Sequence, residues 1–204
     1  MDWSTLTVAL IGVAGTLGGT LGGAALSQRA NREQNLRADR QRERERQEQA
    51  VQAKRDLYAQ LNSTARAYRV AARDIVEAAH RGESLDPAAL EAAKEAWADQ
   101  YSQAQMTLSR DVLEIASALN RALGVGYSVV KTLPDGPGPD GAYQRAREWF
   151  SGALSDGVYL LRFALRHDLR VETDPDFERD RARLLSALNN ARNDLARRLS
   201  TERA

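Results

Sequence analysis

A run of 21 residues without a charge, Leu6–Leu26, constrains this chain more than any other stretch. It reads LTVALIGVAGTLGGTLGGAAL. At about 1.5 Å per residue it makes a helix of roughly 31 Å, close to the hydrocarbon thickness of a bilayer. Arg29, Arg32, Arg37, Arg40, Arg42, Arg44 and Arg46 follow it, whereas Asp2 is the only charged side chain before it. Positive charge concentrates on the cytoplasmic side of a span. The sequence therefore predicts a single-pass anchor over residues 1–27 in the inner membrane, with its amino terminus outside and the rest of the chain cytoplasmic. Trp3 suits the aromatic belt of the outer interface. A cleavable signal would need a basic start, a shorter apolar core and an A-x-A-like site. Ala24-Ala25-Leu26-Ser27 is a poor match to one.

Within this run Gly15, Gly19 and Gly23 are spaced by four, Gly18 and Gly22 run beside them, and Gly12 lies one turn before. Residues four apart share a helix face, and a face without side chains lets a second helix approach closely. The pattern resembles the glycine-zipper motif GxxxGxxxG of oligomeric membrane proteins. That resemblance implies a homo-oligomer packed through these six glycines.

Residues 28–50 are almost wholly polar, with Leu36 the only large apolar side chain. Acid–base pairs at helical spacing, such as Glu33 with Arg37 and Glu43 with Arg46, support a solvated helical stalk. Its first arginines, Arg29, Arg32, Arg37 and Arg40, are placed to meet membrane lipid headgroups.

From about residue 51 to residue 204 the pattern becomes amphipathic. Apolar positions recur at three and four, which predicts helices near 51–81, 87–131, 142–169 and 175–200. Asp86-Pro87 and Asp174-Pro175 are start signals, a capping carboxylate followed by proline in the first turn. Leu57, Leu61, Tyr68 and Ile75 mark the apolar stripe of the first helix. Leu90, Trp97, Tyr101, Leu108, Ile115 and Leu119 mark the second, and Phe150 and Leu161 the third. Phe177, Leu184, Leu188 and Leu195 mark the fourth. The second helix is carried to Lys131, frayed or kinked at Gly124 and Gly126, because an earlier end would leave an over-long loop. Pro134–Gly141 holds three prolines and three glycines in eight residues, so it is a loop. The expected fold class is all-α: anchor, stalk, and an antiparallel up-down-up-down four-helix bundle.

Chemistry is harder to find. Cysteine is absent, so thiolate metal sites and disulfides are excluded. Glu77-Ala78-Ala79-His80 has the E-x-x-H spacing by which ferritin-like bundles hold iron, but Ala164 stands three before His167 where a second such motif needs Glu. Both histidines lie near helix ends, where a cation suits the helix dipole. The glycine pairs lack the lysine and flanking strand of a phosphate loop. Net charge is +1, acids are interleaved with bases, and aromatics are 6%. Nucleic-acid binding is therefore not expected. Nor is an enzyme, a metal or a cofactor. The expectation is a self-associating scaffold or adaptor that docks a protein partner at the cytoplasmic membrane face. Two alternatives are an oligomeric pore built from the glycine-rich helix and a sensor-like ligand-binding bundle. The second of these resembles the four-helix sensing domains of bacterial chemoreceptors in fold alone.

Overall fold

The computed structural model describes residues 34–83, 87–133, 141–171 and 173–201, with the helical backbone alone for 3–33 and 140. Its elements are α1 (Trp3–His80), α2 (Ala88–Ala104), α3 (Arg110–Lys131), α4 (Asp140–Ser151), α5 (Ala153–Asp168) and α6 (Phe177–Thr201). There is no strand among the described residues. No helix among them is long and apolar enough to cross a membrane. The side chains of residues 1–33 lie outside the described residues. So therefore do the expected anchor and the packing attributed to Gly12, Gly15, Gly18, Gly19, Gly22 and Gly23, together with Arg29 and Arg32.

The chain divides into two units, residues 1–52 and 53–204. In the first, residues 34–52 of α1 form a solvated helix in which Arg37 and Arg40 are exposed. Leu36 and Val51 are exposed too, at 56% and 47%. Gln41 donates to Glu45 at 3.0 Å and Gln47 to Glu43 at 3.1 Å, each one helical turn apart. Glu43 therefore takes the amide four residues on, not Arg46.

The second unit is a helical bundle in which successive rods alternate in direction. Residues 53–80 of α1 bury Tyr58, Leu61, Ala65, Tyr68, Ala72, Ile75 and Val76, one stripe at three-and-four spacing. Arg69 and Arg147 of α1 and α4 reach Phe150 and Glu77 respectively, and Tyr58 reaches Asp168, so α1 runs antiparallel to α4–α5. Against α6, His167 of α5 stacks on Phe177 and Phe163 meets the same ring at a tilt, which makes that pair antiparallel as well. Arg181 of α6 pairs with Asp111 and Glu114 near the start of α3, so α3 and α6 are parallel. Half of α5 is buried, including Leu154, Leu160, Leu161 and Phe163. Each such Leu or Phe contributes about 1.5–3 kcal/mol.

The single helix expected over 87–131 is two. The chain reverses at Gln105–Ser109, and α2 folds back along α3. Trp97 Nε1 donates to Asn120 Oδ1 at 2.8 Å, Tyr101 and Ser117 share a hydroxyl bond at 3.0 Å, and Tyr127 donates to Glu91 at 2.6 Å. These partners advance along α2 as they retreat along α3, the signature of an αα-hairpin. Ser109 takes the extended conformation of an N-cap, φ −61° and ψ 157°, and Asp111 supplies an acid in the first turn. Leu108 lies in the reversal, half-buried. With this hairpin the described residues of the bundle form five rods, α1, α2, α3, α4–α5 and α6, in place of four.

The helix expected over 142–169 is also interrupted, at Gly152, where a Cβ would stand 2.7 Å from the Glu148 carbonyl oxygen. The break bends the rod without reversing it, since α4 and α5 both lie along α1. At the other glycine position of interest, α3 runs unbroken to Lys131, and Gly126 is a contact point. A Cβ there would come within 2.9 Å of Trp149 Nε1 and 3.1 Å of Phe150.

Candidate functional site: an arginine-lined groove

Two stretches free of acids come together on the surface of the bundle. No Asp or Glu falls between Asp56 and Asp74, and Arg66 and Arg69 share a face of α1. None falls between Asp156 and Asp168 either, where Arg162 and Arg166 share a face of α5. Antiparallel packing sets these faces side by side. A hollow of about 330 Å³ is lined by Asn62, Arg66, Arg69, Ser155, Tyr159 and Arg162. A second, of about 290 Å³, adjoins it through Tyr159 and Arg162 and extends to Phe163 and Arg166. Among the described residues no carboxylate lines either hollow.

Arg69 is the deepest of these cations. Its Nη1 donates to the Phe150 carbonyl at 3.0 Å, and its Nε is buried without a hydrogen-bond partner among the described residues. Burial pushes its guanidinium below the ordinary value, and the neighbouring charges of Arg73 and Arg66 push further, against the opposing pull of Asp74. Tyr159 is 49% exposed and stacks on Phe163 with centroids 6.1 Å apart. The Arg162 guanidinium lies 5.3 Å above the Tyr159 ring. Arg66 and Arg162 have no acid partner among the described residues. Guanidinium groups left without acids are free to present their forked donors to an anion. The side chains that line the groove are mainly guanidinium, hydroxyl and amide donors, which suit an anion.

Elsewhere several arginines are matched by acids, among them Arg73, Arg147 and Arg181. A cleft of about 210 Å³ between α4 and α6 sets Arg145 and Arg198 with Glu148 and Asp194. Two further networks join helices. Asp168 Oδ2 accepts from Tyr58 Oη at 2.5 Å and lies 2.6 Å from Lys54 Nζ. Burial pushes the Asp168 carboxyl up, but the bonds from Lys54, Tyr58 and Ser109 and the Lys54 charge together leave it below its ordinary value. Burial pushes the Tyr58 phenol up, and its bond to Asp168 adds to that. Glu91 accepts from Tyr127 at 2.6 Å and pairs with both Lys131 and Lys94 at 3.1 Å. Those bonds, Tyr127's first, hold its carboxyl down at about 2.

Of the positions singled out from the sequence, Leu61, Tyr68, Ile75, Leu90, Trp97, Ile115, Leu119, Phe150, Leu161, Phe177, Leu188 and Leu195 are buried. Leu57, Tyr101, Leu108 and Leu184 are only half-buried and pack against that core from its margin. The residues of the E-x-x-H motif are engaged otherwise. Glu77 accepts from Arg147 Nε at 2.8 Å, and the His80 ring meets Tyr143 edge-on at 5.6 Å. His167 stacks on Phe177 at 3.8 Å. Among the described residues no group of three His, Asp or Glu side chains is placed to hold a metal ion. The groove arginines were not found by reading stripes, because they lie on the polar faces of two helices 96 residues apart, counting from Arg66 to Arg162. The two acid-free intervals were the available signal. No family model matches the chain, and no curated protein or solved structure is significantly similar to it.

Proposed function

We propose that the chain is a membrane-tethered, self-associating helical adaptor whose bundle docks a protein partner at the cytoplasmic face of the inner membrane. The observation that carries this reading is the order of the sequence. An uncharged, glycine-faced run of bilayer length is followed at once by seven arginines and then by the bundle. Leu6–Leu26 would anchor the chain, and Gly15, Gly19 and Gly23 would let neighbouring anchors approach closely. Arg29, Arg32, Arg37 and Arg40 would meet anionic headgroups. The bundle supports a docking role through its surface, which includes a groove lined by arginines.

Protease treatment of intact spheroplasts tests the orientation, and a carboxyl-terminal tag is expected to survive. Digestion of that tag would overturn it. Crosslinking in native membranes tests the association. A Gly19→Leu change keeps the run apolar and is expected to abolish crosslinked oligomers, while partner capture by the bundle persists. Loss of ion leakage in the same variant, with the parent leaking, would replace the adaptor reading with a pore.

A further inference from the structure

We propose that the groove between α1 and α5 is a binding site for a phosphate-bearing anion, recognised chiefly by Arg66, Arg69 and Arg162. The proposal stands on the bundle alone and does not depend on the anchor. Like charges without acids repel one another, so a chain that only needed a soluble surface has no reason to gather them. Arg73, Arg147, Arg181 and Arg197 each pair with Asp or Glu, whereas the groove gathers several arginines with no carboxylate among the described residues that line it.

The donors suit phosphate in kind. Planar guanidinium forks bind phosphate oxygens two at a time, and Ser155 and Asn62 add neutral donors to the same hollow. Arg69 lines the hollow and is held in place by its bond to the Phe150 carbonyl. Burial first, and then repulsion from Arg73 and Arg66, weigh on its charge, and an incoming anion would offset that repulsion. The two adjoining hollows, about 330 and 290 Å³, exceed what one inorganic phosphate fills. A ligand carrying two phosphates, or a phosphomonoester with an organic body, suits the space. Free diphosphates and phosphomonoester lipid headgroups share this chemistry.

Isothermal titration of the full chain in neutral detergent with inorganic pyrophosphate is the first arm. Saturable binding and a ligand-dependent rise in Tm are expected. Arg66→Gln and Arg162→Gln are each expected to weaken binding about tenfold or more, as loss of charged hydrogen bonds does. Arg162→Lys is expected to weaken it also, because charge without the fork is a poorer match. Arg121→Gln, at an exposed site outside the groove, is the control and is expected to bind as the parent does. The second arm reconstitutes the chain into phosphatidylcholine vesicles with or without phosphatidic acid. Groove-dependent protection of Arg162 from an arginine-modifying dicarbonyl is read there. Binding in the first arm identifies a free phosphate compound, and protection in the second alone identifies a headgroup. Either supports the site. The proposal is overturned if neither arm responds, or if Arg66→Gln and Arg162→Gln behave like Arg121→Gln in both.

Discussion

The two Tyr–carboxylate–Lys networks are built from the same three side-chain types and differ in burial. Around Asp168, the carboxylate and Lys54 are 19% and 33% exposed, and α1, α3 and α5 are tied together through Lys54, Tyr58 and Ser109. Around Glu91, the carboxylate and its two lysines are 35–48% exposed, and the tie joins α2 to α3 alone. Water competes for every bond in the second and for fewer in the first. Identical chemistry is therefore expected to matter unequally. A half-buried acid that loses its partners is left with its desolvation cost, whereas an exposed one is rehydrated.

Removing Asp168 is the strongest test of that inequality. Asp168→Ala strands a half-buried ammonium and a phenol together, and is expected to lower unfolding stability by about 2–3 kcal/mol in urea titrations. Next comes Tyr58→Phe, which keeps the ring in the core and removes one bond, for about 1 kcal/mol. The matching Tyr127→Phe change is expected to cost less, and equal costs for the two phenols would erase the comparison. Acid titration sharpens it further. Both carboxyls are depressed in the folded state, so their stabilisation is complete above the unfolded values of about 4 and disappears as pH falls through the folded ones. For Glu91 that window runs from about 4.3 down to about 2. Glu91→Gln is expected to flatten the stability curve within that window, and an unchanged slope would show that Tyr127 and the lysines do not hold the carboxylate. Salt gives the smallest effect. Raising NaCl to about 1 M is expected to shrink the penalty of Glu91→Gln more than that of Asp168→Ala.

The apolar stripes were legible because burial is decided by spacing along one helix. Leu61, Ile115, Leu119 and Leu188 follow from that alone. The reversal at Gln105–Ser109 was hidden by the same rule. A stripe that runs Trp97, Tyr101, Ala104, Leu108 and Val112 looks the same whether the helix continues or folds back, since both arms of a hairpin bury a face. Only the cap residues differ, and Ser109 with Asp111 was the local sign. Gly126 shows the complementary error. Glycine in a helix can mean a break, but here it means that two aromatic rings lie against the backbone. The groove was invisible for a third reason. Its charges sit on two helices whose adjacency is set by packing, so no window of sequence contains them together.

The chain's three lysines, Lys54, Lys94 and Lys131, all belong to the two tyrosine networks. Each ammonium lies within 5.4 Å of a tyrosine ring centre as well as beside a carboxylate. Acylating reagents attack the neutral amine, and for Lys94 and Lys131 the bonds to Glu91 favour the protonated form. Amine labelling of Lys131 thus becomes a clock for the α2–α3 hairpin, because its bond to Glu91 crosses between the two helices and is lost when they part. With three lysines and many more arginines in the chain, arginine-directed crosslinkers reach more of its surface than lysine-directed ones.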